Sequence, residues 1–164
     1  NQVELVSSKK VWYSRTPNHK YNVVAVDCGI KHNIVRSLNE CGCNVIIVPY
    51  TTDVKSVLAM RPDGVLISNG PGDPHDAGCV VDLIRALMGK VPLFGICLGH
   101  QMICKAAGAR MMKLKYGHRG GNQPVQNLLT GRVEITAQNH GFNVVFDSLG
   151  DESEDVPSTH FFGG

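Results

Sequence analysis

Cys97 stands between two glycines, in the stretch Gly95-Ile96-Cys97-Leu98-Gly99-His100-Gln101. The apolar run Val91-Pro92-Leu93-Phe94 leads into it, and a helical pattern from Gln101 to Ala107 follows. A strand, a glycine-flanked turn and a helix make a nucleophile elbow, with the reactive side chain held out at the bend. Such a turn places Cys97 at a helix N-terminus, where the helix dipole and the first backbone N–H groups favour a thiolate. A thiolate so presented is suited to acyl transfer. A cysteine at an apolar strand–helix junction also fits the role of a small buried hydrophobe, so the rest of the chain has to decide.

Two further segments carry chemistry. The loop Asn69-Gly70-Pro71-Gly72-Asp73-Pro74 contains glycines whose backbone N–H groups can approach a substrate closely. Together with the N–H of Leu98, Gly70 and Gly72 are candidates for an oxyanion hole; the competing reading is an ordinary Pro/Gly turn. No Gly-Lys-Ser/Thr ending and no complete Gly-x-Gly-x-x-Gly is present, so a phosphate loop is not indicated. In Gln138-Asn139-His140-Gly141-Phe142, at the end of an expected strand, Asn139 offers both a donor and an acceptor, suited to an amide or an amino acid. His140 is either a base for Cys97 or a turn histidine bonded locally. The segment Gly117-His118-Arg119-Gly120-Gly121 reads as a flexible, positively charged loop.

The elements that must position these residues follow from hydrophobic patterning. The 164 residues are 43% apolar and 18% charged, enough for one domain with a sizeable core. Asn22–Asp27, Val45–Val48, Gly64–Ser68 and Val91–Ile96 are short apolar runs of the kind buried on both faces of a parallel sheet. Between them lie helical spacings: Ile30, Ile34 and Leu38 closed by Gly42; Val54, Val57 and Leu58 capped by Thr52 or Asp53; and Val80, Leu83, Ile84 and Leu87. This alternation predicts an α/β fold, a doubly wound, mostly parallel sheet flanked by helices. Beyond Gly108 the rhythm shifts, and 111–114, 132–138 and 143–146 are expected as short antiparallel strands beside that core. Residues 1–20 are polar and aperiodic and read as a linker or entry segment from a preceding domain, with the domain proper over 21–164. Residues 150–158 read as an acidic loop. The net charge of +2 is spread without a basic run longer than a pair, which argues against nucleic acid and anionic membranes as partners. The six cysteines, at 28, 41, 43, 79, 97 and 104, lack metal-ligand spacing, and a domain of this size needs no disulfide staples. Reduced thiols and no metal are therefore expected, in a cytoplasmic setting.

Gly95–Gln101, Ser68–Pro74 and Gln138–Phe142 occur in this order in class I (triad) glutamine amidotransferases, which the chain resembles over roughly residues 20–149. The segment Lys113-Leu-Lys-Tyr-Gly-His-Arg-Gly-Gly-Asn-Gln-Pro-Val125, and Asp27-Cys-Gly-Ile-Lys-His-Asn33, are similar to the glutamine-hydrolysing part of carbamoyl-phosphate synthases. The resemblance implies a flavodoxin-like amidotransferase fold in which Cys97 attacks the side-chain amide of L-glutamine, forming a thioester and releasing ammonia. It implies that Gly70, Gly72 and Leu98 line the acyl site and that Gln101, Asn139, Gly141 and Phe142 hold the amino-acid end. It further implies a large synthetase subunit or domain as partner, carrying the ATP sites, so that no cofactor is expected on this chain. One departure stands out. The base and its orienting acid in that family lie in a His-Pro-Glu motif, and no His-x-Glu occurs here; after His140 the sole histidine is His160. A chain incomplete at its C-terminal end, without the closing strands and last helix, is the expectation. A noncatalytic or regulatory module of the same fold, or the amidotransferase domain of another synthetase, are the alternatives.

Overall fold

The computed structural model describes residues 1–127 and 129–145. They divide into two units, Asn1–Ala109 and a second beginning at Arg110.

The first unit is built on a five-stranded sheet. Its parallel strands are β2 (Tyr21–Asp27), β3 (Cys43–Pro49), β4 (Gly64–Ile67) and β5 (Leu93–Gly95), with β1 (Trp12–Ser14) antiparallel at one edge, in the order β1-β3-β2-β4-β5. The chain runs outward from β2 to β3, then returns past β2 to β4. The strand order thus reverses between β2 and β4, and crevices that bind ligands lie at the carboxyl ends of strands at such a point. The helices α1 (Gln2–Val6), α2 (His32–Glu40), α3 (Val54–Ala59), α4 (Gly78–Leu87) and α5 (Leu98–Ala106) complete the unit.

Both faces of the central strands are buried, as continuous apolar runs require. Val24, Val26, Val48, Val65 and Ile67 pack with Val57 of α3, Val80, Ile84 and Leu87 of α4, and Leu98 and Met102 of α5. The opposite face packs Ala25, Val45, Ile47 and Leu66 against α2, through Val35, Ile34 and Leu38. This second layer leaves a groove of about 360 Å³ beside α2, lined by Ile34, Leu38, Cys41, Leu66, Phe94 and Ile96. Phe94 is 58% exposed there.

Local chemistry sets the helix ends. Asp53 caps α3, accepting from the Ser56 N–H at 3.0 Å, while the Thr52 hydroxyl donates to the Pro49 carbonyl at 2.7 Å. Gly42 follows α2 at φ +82° and donates back to the Asn39 carbonyl, a left-handed stop that glycine adopts without strain.

Residues 1–20, expected as a linker, carry a helix and the edge strand. Val3 of α1 is buried in the core, and Trp12, Tyr13 and Ser14 pair with Ile47, Ile46 and Val45. Asn39 holds this edge, accepting from the Ser14 hydroxyl at 2.6 Å and donating to the Cys43 carbonyl at 2.9 Å. Five- and three-residue elements are too short to show a hydrophobic period, which is why composition alone suggested a linker.

The second unit is an antiparallel hairpin of β6 (Arg110–Gln126) and β7 (Val133–Val145). The expected short strands fall within these two long ones, except for Arg132, just before β7, and Phe146, which lies outside the described residues. Residues 117–121, expected as a loop, lie inside β6, with His118, Arg119 and Gly120 opposite His140, Asn139 and Gln138. Register shifts between Lys113 and His118 and between Gly120 and Gln123 explain the glycines: Gly117 (φ +68°) and Gly120 (φ +125°) take up irregularities within a strand rather than ending it. The acidic segment 150–158 and His160 lie outside the described residues.

Candidate active site

β4 and β5 are adjacent, with Ile67 opposite Gly95. The loops leaving these two carboxyl ends, 68–76 and the Cys97 turn, therefore emerge side by side.

The turn is sharper than its glycines alone suggest. Gly95 and Gly99 both have ordinary backbone angles, and the residue in the left-handed half of the map is Cys97 itself, at φ +53°, ψ −109°. A non-glycine residue held there stores roughly 1–3 kcal/mol. The glycines permit this by close approach. A Cβ on Gly95 would stand 2.5 Å from the Gly99 carbonyl carbon and the His100 nitrogen, and one on Gly99 would run into the Ile67 carbonyl. The Ile96 N–H donates to Ile67 O at 3.1 Å, and the Gln101 N–H donates to Cys97 O at 3.0 Å, which pins the bend between strand and helix. Cys97 is the N-cap of α5 and its side chain is exposed, so the buried-hydrophobe reading does not apply to it.

The other thiols differ in environment. Burial pushes Cys28 up to about 12 and Cys104 up to about 11, and raises Cys43 as well. Cys41 and Cys79 are exposed, on the outer part of the fold.

Gly70 meets the Cys97 turn directly. A Cβ there would collide with the Cys28 carbonyl and stand 3.0 Å from Leu98 Cδ2, so Gly70 is wedged between the β2–α2 turn and the first residue of α5. Gly72, at φ +98°, lies against Gln2 of α1 instead. Asp73 pairs with His75 at 2.6 Å. Partial burial pushes the Asp73 carboxyl up, but the His75 backbone N–H and ring, with Lys105, outweigh this and hold it below its ordinary value. Gln101 is buried on α5, one turn beyond Cys97. Cys97, Gly70, Leu98 and Gln101 thus share one end of the sheet.

Asn139, Gly141 and Phe142 lie on β7 of the second unit, within the strand rather than at its end. His140 is engaged locally: one ring nitrogen lies 2.8 Å from the Phe142 carbonyl, the other 3.0 Å from Gln138 Oε1, and His118 meets the ring edge-on at 5.1 Å. Both ring nitrogens are thus engaged within β7. Among the described residues no group of three His, Cys, Asp or Glu side chains is placed to hold a metal ion.

Three polar residues beside this site, Asp27, Ser68 and Asn69, lie within the sequence motifs but had no role of their own there. All sit at strand carboxyl ends, and Asp27 is followed within two residues by glycine, a turn signal that would have marked it.

The profile of the family described as "Glutamine amidotransferase class-I" matches residues 24–158. The chain belongs to the class-I glutamine amidotransferase family. It is 52% identical over 160 residues to the carbamoyl phosphate synthase small chain of Fusobacterium nucleatum, covering 98% of this chain and 44% of that protein. It is 54% identical over 149 residues to that of Listeria monocytogenes, covering 91% and 40%. The chain therefore spans less than half the length of these curated relatives. Among solved structures, a GMP synthase subunit from Thermoplasma acidophilum superposes with a TM-score of 0.67 at 26% identity, over 81% of this chain and 70% of that one. A Thermotoga maritima glutamine amidotransferase superposes at 0.56 with 20% identity, over 77% and 63%, and shows the shared fold. The α/β amidotransferase architecture expected from the motifs is the one found.

Proposed function

We propose that this amidotransferase chain uses Cys97 to hydrolyse L-glutamine. The observation that carries the reading is the strained, exposed cysteine at a strand–helix elbow beside the Gly70 turn. In the proposed reaction the Cys97 thiolate attacks the amide carbon, and the developing oxyanion is met by the N–H groups of Gly70 and Leu98, with Gly72 two residues along the same loop. The C–N bond then breaks as the nitrogen takes up the proton first lost by the thiol, ammonia leaves, and a γ-glutamyl thioester remains until water cleaves it to glutamate and the free thiol. Gln101, Asn139, Gly141 and Phe142 hold the substrate's amino and carboxyl groups. The histidine of a His-x-Glu pair would move the protons, and that pair is not in this sequence. The relatives' name, carbamoyl phosphate synthase small chain, supports a synthetase as the consumer of the ammonia, in carbamoyl phosphate formation, and we assign that product to pyrimidine and arginine synthesis. We place the reaction in the cytoplasm, and read residues 1–20, which supply α1 and the edge strand β1, as the entry from a preceding domain into this sheet.

A glutamine-like diazo ketone tests the reading. It should label Cys97 ahead of the other thiols, and free glutamine should protect. Labelling that glutamine does not slow, or that falls first on Cys79, would overturn the reading. The missing His-x-Glu favours one second reading, a regulatory module that binds glutamine without turning it over. Glutamine protection with no thioester trapped by hydroxylamine, in a form extended through the full length of the relatives, would select it.

A further inference from the structure

Asp27 closes β2 at the reversal of strand order, and its buried carboxylate accepts three backbone N–H groups. Gly29 and Ile30 each donate to Oδ1 at 2.8 Å, which is a local turn. Ser8 donates to Oδ2 at 2.9 Å from nineteen residues away, out of the segment that follows α1.

The turn so held grips the glycine loop. The Cys28 N–H donates to Ser68 Oγ at 2.9 Å, and that hydroxyl donates to the Asn69 carbonyl at 2.8 Å. Asn69 returns two bonds, donating from Nδ2 to Gly29 O at 3.1 Å and accepting at Oδ1 from the Lys31 N–H at 3.2 Å. Gly70 then rests on the Cys28 carbonyl, with no space for a side chain. Segment 1–8 holds the other side of the same loop. Asn1 Nδ2 donates to the Asp76 carbonyl at 3.0 Å, Gln2 faces Gly72, and Val6 packs on Gly29. Every bond of the loop's first two residues to the β2–α2 turn thus runs through a turn organised by Asp27.

We propose that Asp27 is a positioning residue for the amide-binding loop, acting through Ser68 and Asn69, and that the backbone N–H of Ser8 couples segment 1–8 to that loop. The proposal rests on the glutaminase reading of Cys97. Two carboxylate oxygens suffice for all three donors. An amide does not suffice, because Asn offers one acceptor and would turn its own NH₂ toward the Ser8 N–H. Among the described residues the Ser8 hydroxyl is buried without a hydrogen-bond partner, so the coupling lies in its backbone and not in its side chain.

The test compares wild type, Asp27→Asn, Asn69→Ala and Ser8→Ala in the 164-residue chain. The readout is the rate at which Cys97 is labelled by the glutamine-like diazo ketone, divided by its rate with iodoacetamide, which needs no loop. Displacement of a positioning loop by about 1 Å is enough for losses on the order of 10²-fold. Asp27→Asn and Asn69→Ala should therefore lower the ratio by at least about tenfold while iodoacetamide still reacts. Ser8→Ala, which keeps the N–H, should retain it. A ratio preserved in both of the first two variants, or lost equally in Ser8→Ala, overturns the proposal. If wild type itself shows no preference for the diazo ketone, the glutaminase reading fails instead. Amide exchange over residues 69–72 then decides the positioning role without a ligand: acceleration in Asp27→Asn supports it, and unchanged exchange refutes it. Should Asp27→Asn not fold, Asn69→Ala alone decides, by the same two measurements.

Discussion

Gly99→Ala sets two effects of opposite sign against each other at the elbow. Gly99 lies in the first turn of α5 with ordinary angles, and alanine there gains up to about 1 kcal/mol of helix propensity. Against this, the new Cβ would meet the Ile67 carbonyl, with the Ile67 carbonyl carbon at 2.6 Å and Ser68 O at 2.9 Å. These are backbone atoms at the end of a buried strand and cannot rotate away as a flexible side chain would. Relieving them moves α5 off β4 by several tenths of an ångström or more, and overpacking of this kind costs roughly 1–3 kcal/mol. Three backbone contacts at once put the clash in the upper part of that range, about 2–3 kcal/mol, so it outweighs the propensity for a net loss of about 1–2 kcal/mol, which at this chain length lowers the melting temperature by about 2–8 °C. Gly78→Ala is the matched control. Gly78 opens α4 with nothing within 4 Å of the added Cβ, so there the propensity acts unopposed and stability should rise. Thermal melts of the two variants beside wild type, followed by circular dichroism, read both signs. A Gly99→Ala protein as stable as Gly78→Ala would refute the close approach of α5 to β4, and with it the account of why the turn needs glycine.

Four other outcomes are expected. Iodoacetamide on the native chain should modify Cys41, Cys79 and Cys97 and spare Cys28, Cys43 and Cys104, whose burial raises their pKa; mass spectrometry of digests reads the pattern, and early modification of Cys28 would contradict it. Glutamine turnover by the 164 residues alone should be lower than that of a form carrying His-x-Glu by on the order of 10²–10⁴-fold, the usual worth of a general base; matched rates in an ammonia-release assay would show that a histidine of this chain serves. Burial lowers the His100 pKa, so between the ordinary histidine value and the lowered one the unfolded chain binds more protons than the folded one. Stability from this group is therefore complete above about pH 6.5 and falls as the pH drops through the lowered value, a decline that His100→Gln should flatten in melts taken between pH 5 and 7. Finally, β5 ends the sheet among the described residues and carries Phe94, exposed beside an apolar groove, so the chain should self-associate; Phe94→Lys should shift it toward monomer in size-exclusion chromatography, and an already monomeric wild type would remove the basis of the expectation.

What the sequence disclosed depended on the length over which each signal was repeated. The parallel strands were legible because Val23–Val26, Val45–Val48 and Val65–Ile67 are unbroken apolar runs, and their alternation with helical spacing leaves few topologies. The meeting of Gly70 with Leu98 followed from the adjacency of β4 and β5. Gly117 and Gly120 misled because a glycine marks a turn and a bulge equally, and only the opposing residues 138–140 show which it is. The tie between Asn69 and Gly29 was hidden for another reason: it joins residues forty positions apart through polar side chains, which leave no periodic trace.

The backbone angle at Cys97 bears on how such a chain changes under selection. At φ +53°, ψ −109° a glycine would relax what the cysteine strains, so the most stable sequence for this fold is one that has lost its thiol. Fitness for folding and fitness for acyl chemistry point in opposite directions at this one codon. A lineage released from the need for the reaction would drift toward glycine here, while one that still carries cysteine does so against the preference of its own backbone.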